Sequence, residues 1–233
     1  MRTYGFCVWI GVASCTTPLL GPANTTLPPT DRHADAQPGP GPEVPVPPLR
    51  FVALGDTGTG SERQYRVAAV LKEVCAARGG CEFALLLGDN IYESGVDSTD
   101  DAQWQEKFEL PYATLDFPFY ATLGNHDFGA PSIVSGYVGG LGVDPSRARA
   151  QIAYSARSQK FRLPDFVYRF SAGPVEFVSL NTTATFWEDF SWISEAQGFD
   201  ELHAEQERLL DTFASENTAT WRIAFGHHPY WSD

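Results

Sequence analysis

The run Phe83-Ala84-Leu85-Leu86-Leu87-Gly88-Asp89-Asn90-Ile91-Tyr92 decides the fold. Its unbroken apolar start reads as a short strand buried on both faces, the pattern of a sheet covered on its two sides. Glycine and a carboxylate follow at once, so the strand ends in a tight turn that presents Asp89. Upstream, Arg50 to Leu54 repeats the arrangement and runs into Gly55-Asp56-Thr57-Gly58. Between the two, residues 62–78 carry Val67, Ala68, Val70, Leu71 and Val74 at helical spacing and stop at Gly79-Gly80. Strand, helix and strand make a βαβ unit with a polar residue at each strand end.

The pattern recurs downstream. Residues 101–115, with Trp104, Phe108, Leu110 and Tyr112, read as helical at least to Pro111, and Pro118 to Leu123 reads as a strand ending at Gly124-Asn125-His126-Asp127. The Gly-rich stretch from Phe128 to about Gln159 is expected to be a surface loop over the strand ends. Phe166 to Ser171 and Val175 to Leu180 read as paired strands around Ala172-Gly173-Pro174. A helix opened by His203 and running to Phe213 precedes a strand, Trp221 to Phe225, that ends at Gly226-His227-His228-Pro229. Strands that all carry polar motifs at their C-terminal ends gather ligands at one sheet edge, so the expected architecture is a layered α/β sandwich.

With 233 residues the chain has room for one domain with a sizeable core. Its net charge is −13 and it contains no run of Lys or Arg, which excludes the electrostatic footprint of a nucleic-acid binder. Such a chain must take positive charge from bound cations if it handles phosphate. Residues 1–15 read as an export signal, with Phe6 to Ala13 apolar and too short to span a bilayer. Val12-Ala13-Ser14-Cys15 resembles a bacterial lipoprotein signal, in which Cys15 would become the acylated first residue; a plain secretory signal or a buried strand is the alternative. Residues 16–48 form a Pro/Gly/Thr-rich linker and 49–233 the folded domain. The expected location is therefore outside the cytoplasm, either membrane-anchored through lipid or secreted. Cys75 and Cys81 flank Gly79-Gly80 and suit a small disulfide, two reduced thiols being the plainer reading. Asn24-Thr25-Thr26 and Asn181-Thr182-Thr183 match the N-glycosylation pattern.

Asp56 or Asp89 alone would be an ordinary turn or helix-cap residue. Their occurrence together with Asn125-His126 and His227 favours a pair of metal ions, which needs one bridging carboxylate, flanking oxygen and nitrogen ligands, and open positions. Asp89 is the candidate bridge. Asp56 serves one metal, while the Asn125 side-chain oxygen and a His227 nitrogen serve the other. Tyr92, three residues past the bridge, can place a phenolate on the first metal and so favours Fe(III) there. A metal-bound hydroxide would attack phosphorus in line, and His126 would supply the leaving group's proton or hold a phosphoryl oxygen. Trp187, Phe190 and Trp192 either line a cleft or simply pack, and His203 with its acidic neighbours reads as a solvated helix face.

These blocks resemble the calcineurin-like metallophosphoesterases and, among them, the purple acid phosphatases of the tartrate-resistant type. G-D-x-G, G-D-x-x-Y and G-N-H-D/E are matched at Asp56, at Asp89 with Tyr92, and at Asn125 with His126; the V-x-x-H block has Ala224 for its leading Val and ends at His227. The likeness runs from about Phe51 to Ser232. It implies an α-β-β-α sandwich that hydrolyses small phosphate monoesters. It also implies a metal pair, Fe(III) plus Fe(II), Zn or Mn, with Asp56, Asp89 and Tyr92 on one ion and Asp89, Asn125 and His227 on the other. Asn125, His126 and His228 would then meet the substrate. The family's fifth block, G-H-x-H, has no counterpart in this sequence, so the domain is expected to be C-terminally incomplete. A truncated, non-catalytic metal-binding or interaction lipoprotein is the competing expectation.

Overall fold

The computed structural model describes residues 48–129, 144–186, 198–216 and 219–229. The signal and linker readings, except at Pro48, and the cleft reading of Trp187, Phe190 and Trp192 lie outside these residues. In chain order the elements are β1 (Phe51–Leu54), α1 (Glu62–Ala77), β2 (Phe83–Leu87), a π-helical turn (Gln105–Glu109), β3 (Phe119–Thr122), α2 (Asn125–Phe128), α3 (Pro145–Ser155) and β4 (Phe161–Arg162). They continue as β5 (Tyr168–Ala172), β6 (Val175–Ser179), α4 (Thr182–Phe186), α5 (Phe199–Ser215) and β7 (Trp221–Phe225).

Strands β1-β2-β3-β4 form a parallel sheet in that order. A second sheet, β5-β6-β7, pairs β5 with β6 antiparallel and β6 with β7 parallel. The inward faces meet through aromatic rings. Phe83 lies edge-on to Phe170 and Phe177 with centroids at 5.6 and 5.4 Å, Phe51 packs on Phe177 at 5.3 Å, and Tyr120 stacks on Phe170 at 3.9 Å. Because side chains alternate across a strand, Phe119 points the other way and meets Phe108 and Tyr112 on the outer face of the first sheet. α5 closes the outer face of the second sheet, where Arg169 and Arg222 lie over the Phe213 ring and Arg169 pairs with Glu176 and Glu216. The layering is therefore the expected α/β sandwich.

The βαβ expectation holds, with β2 buried from Phe83 to Leu86 and α1 burying Gln64, Ala68, Leu71 and Cys75 along one stripe. Cys75 and Cys81 are disulfide-bonded, tying the end of α1 to the start of β2. Three expectations need correction. The 101–115 segment is no regular α-helix: the Leu110 amide reaches back to the Gln105 carbonyl, and Pro111 has no amide to extend an α-helical ladder. The expected loop after Phe128 contains α3, whose start is set by Asp144, which accepts from the Ser146 amide at 3.0 Å with Pro145 at the first helical position. His203 does not open its helix, since α5 starts at Phe199 and His203 sits 3.5 Å from Glu207 one turn on.

Candidate metal centre

Parallel pairing makes β1, β2 and β3 end on the same edge, and β7, parallel to β6, brings its motif to the same place. The two sheets are pinned there by the Thr122 hydroxyl, which donates to the Leu180 carbonyl at 2.7 Å. Asp56 and Asp89 both have left-handed backbones, with φ of 56° and 53°. That conformation is uncommon outside glycine, and here it turns both carboxylates back toward one point. The Asp56 amide bonds the Gly88 carbonyl at 3.1 Å, locking the two turns together.

Asp56, Asp89 and His227 offer ligand atoms that all lie within 4.8 Å of one another. Asp89 is buried, and its Oδ1 stands 3.4 Å from His227 Nε2. The other ring nitrogen, Nδ1, lies 2.9 Å from the Leu87 carbonyl, an acceptor only, so Nδ1 carries the proton. In a neutral ring the Nε2 lone pair then faces a carboxylate oxygen, an arrangement that calls for a cation, either a proton or a metal. Glycines provide the room. A Cβ on Gly124 would lie 2.2 Å from Asp89 Oδ1 and 2.9 Å from the His227 ring, and one on Gly88 would lie 2.6 Å from His227 Cβ.

Tyr92 donates its hydroxyl between the two carboxylates, 2.9 Å from Asp56 Oδ1 and 2.8 Å from Asp89 Oδ2. Burial, then the charge of Asp89, then that of Asp56, push this phenol far above its ordinary range. A cation among these groups would act in the opposite sense. His126 donates its amide to Asp89 Oδ1 at 3.0 Å, and its Nδ1 lies 2.6 Å from the Glu93 carbonyl. Its Nε2 is 3.9 Å from Asp89 Oδ2, with the ring tilted against Tyr92 at 4.5 Å. Asn125 opens α2 beside it. His228 lies 4.8 Å from the His227 ring, and burial, then the neighbouring His227, hold its imidazole below the usual range. Asp56, Asp89, Tyr92, His126, His227 and His228 are thus brought into one neighbourhood, with Asn125 on the adjoining helix. Oxygen and imidazole donors in this mixture suit borderline and hard transition-metal ions.

One residue that sequence reading passed over holds the loops in place. Asp127, fully buried, accepts from the amides of Asn90, Ile91 and Gly124, from the Asn90 side chain, and from Gln151 of α3 at 2.8 Å. Burial and the charge of Asp89 nevertheless hold its carboxyl above the usual range. It stood in plain view as the last residue of Gly124-Asn125-His126-Asp127. The Asn181 glycosylation pattern has a structural meaning instead: the side chain is fully buried, and its Oδ1 accepts from the Ala184 amide at the start of α4.

Residues 49–233 match the model of the family described as calcineurin-like phosphoesterase. The chain belongs to the calcineurin-like phosphoesterases. It is 29% identical over 210 residues to "Tartrate-resistant acid phosphatase type 5" of Oryctolagus cuniculus, covering 82% of this chain and 59% of that protein. It is 30% identical over 207 residues to the Homo sapiens protein of the same name, covering 80% and 58%. "Purple acid phosphatase 3" of Arabidopsis thaliana is 27% identical over 193 residues, covering 77% and 48%. The chain therefore spans about half to three fifths of the length of these relatives. Among solved structures it resembles "GAP50 the anchor in the inner membrane complex of Plasmodium" with a TM-score of 0.54 at 20% identity, covering 79% of this chain and 56% of that one, a likeness of fold alone.

Proposed function

We propose that this phosphoesterase cleaves phosphate monoesters at a dinuclear metal centre, as an acid phosphatase. The observation that carries the reading is the convergence of Asp56, Asp89 and His227 within 4.8 Å, on turns contributed by both sheets. In this reading Asp89 would be shared by the ions, Asp56 and Tyr92 would hold one of them, and Asn125 and His227 the other. The anionic oxygen donors of the first side favour Fe(III); an amide oxygen and an imidazole favour Fe(II), Zn or Mn on the second. When bound, the ions supply Lewis acidity, neutralising phosphate oxygens and acidifying water.

The chain's own groups position and protonate. The Leu87 carbonyl fixes His227 with Nε2 toward Asp89, the orienting contact that metal-binding histidines commonly have. The Glu93 carbonyl claims the Nδ1 proton of His126 in the same way, so it is as the imidazolium, protonated on Nε2 as well, that His126 would deliver a proton to the leaving alkoxide or hold a phosphoryl oxygen. Asn125 and His228 would hold the remaining phosphate oxygens. Export, with a lipid anchor at Cys15 or as a secreted protein, belongs to the same proposal and is supported by the Cys75–Cys81 disulfide, a bond favoured in oxidising compartments.

Hydrolysis of p-nitrophenyl phosphate by iron- and zinc-loaded protein tests the reading. Asp89→Ala should lower turnover on the order of 1,000-fold, the upper scale for removing one electrostatic group at a reacting centre. Native turnover in that variant would refute the assignment.

A further inference from the structure

The neighbouring histidines His227 and His228 need opposite tautomers for the roles given above, and one threonine is placed to keep them apart. Thr182 is the first residue of α4, separated from the end of β6 by Leu180 and Asn181. Its Oγ1 lies 3.2 Å from the His227 amide and 2.8 Å from the His228 amide, both of which donate to it. A hydroxyl oxygen has two lone pairs and one proton. With both lone pairs engaged, only the proton remains for its third neighbour, His228 Nδ1 at 3.3 Å. His228 Nδ1 is then an acceptor and the neutral ring carries its proton on Nε2. His227 is set the other way, because the Leu87 carbonyl claims its Nδ1 proton and leaves Nε2 with a lone pair.

We propose that Thr182 is a positioning residue that fixes the strand-end turn of β7 and divides the labour of the two histidines, His227 as a metal ligand through Nε2 and His228 as a hydrogen-bond donor through Nε2–H. This rests on the metal-centre reading for its purpose, though not for its geometry. Supporting contacts hold Thr182 itself in place. Its methyl sits where a Cβ on Gly226 would come within 2.8 Å, so glycine there lets the turn close onto the threonine. The preceding Asn181 is buried, its amide donating to Gln206 of α5 at 2.6 Å and its side chain accepting the Ala184 amide. The Leu180 amide bonds the Phe225 carbonyl at 2.8 Å, fixing the separation of the two chain segments. Serine keeps the hydroxyl; valine keeps the shape and loses it.

Two measurements on the full chain test the proposal. Long-range nitrogen–proton correlation spectra of the ¹⁵N-histidine-labelled, metal-free protein at about pH 8, where imidazoles are ordinarily neutral, report each ring's tautomer. The expected result is Nδ1–H for His227 and Nε2–H for His228, with His228 losing its single tautomer in Thr182→Val and regaining it in Thr182→Ser. Calorimetric titration with Zn(II) should show Thr182→Val weakened by about 10- to 100-fold, the usual cost of losing an outer contact, with Thr182→Ser close to native. Nδ1–H on His228 of the native protein would overturn the proposal even if the valine variant failed to fold. Native zinc affinity in a folded Thr182→Val would overturn it while leaving the metal centre standing. No zinc uptake by the native chain would instead overturn the metal-centre reading, and with it the ligand role assigned to His227.

Discussion

At Tyr92 one phenol hydroxyl is shared between two carboxylates that would otherwise repel each other, at 2.9 and 2.8 Å. That hydrogen satisfies both oxygens; in the proposed metal centre the phenol would give up its proton and the phenolate would be a ligand. Iron-loaded protein is therefore expected to absorb in the visible through phenolate-to-iron charge transfer, and Tyr92→Phe should abolish the band. A band that survives in Tyr92→Phe would assign the colour to another group. The same scale shows why glycine, not merely a small residue, stands before Asp89 and Asn125: a methyl group on Gly88 would stand 2.6 Å from His227 Cβ, and one on Gly124 2.2 Å from Asp89 Oδ1.

Among the elements, the ligand turns are held by connections between strand ends rather than by the strands themselves. Asp127 is the chief of these, joining the turn after β2, the turn after β3 and α3 through one buried carboxylate. Asp127→Ala strands several buried amides, each costing about 1–3 kcal/mol, so urea unfolding should show a loss of at least about 3 kcal/mol. A loss below 1 kcal/mol, on the order of a surface substitution, would show that water replaces the carboxylate without penalty. The strands and their polar ends were legible in the sequence because the apolar runs at Phe83–Leu87 and Trp221–Phe225 end at glycine motifs. α3 was hidden in a Gly-rich context, although Asp144-Pro145 is a helix-start signal. The π turn at Gln105–Glu109 was not legible, since it depends on how Trp104, Phe108 and Tyr112 share the outer face of the first sheet. The candidate ligands were named from motif spacing, whereas the contacts of Asp127 and Thr182 span 37 and 46 residues, respectively.

For the whole molecule, the centre exists only because the two sheets stay in register with each other. Phe177, fully buried, touches Phe51, Phe83 and Phe170 and is the middle of that contact. Phe177→Ala should cost about 3–5 kcal/mol in denaturant unfolding, and a cost below about 1 kcal/mol would show that the sheets do not depend on this ring. The family membership rests on residues 49–233, and the function proposed for them rests on a cation held between the sheets. The most direct test is calorimetric titration of the metal-free chain with Zn(II), with Asp89→Ala measured alongside. The native protein should bind zinc saturably and the variant at least about 100-fold more weakly, as befits loss of the shared ligand rather than of an outer contact. Equal stoichiometry and affinity in the two proteins would contradict the account, because Asp89 would then lie outside the metal site.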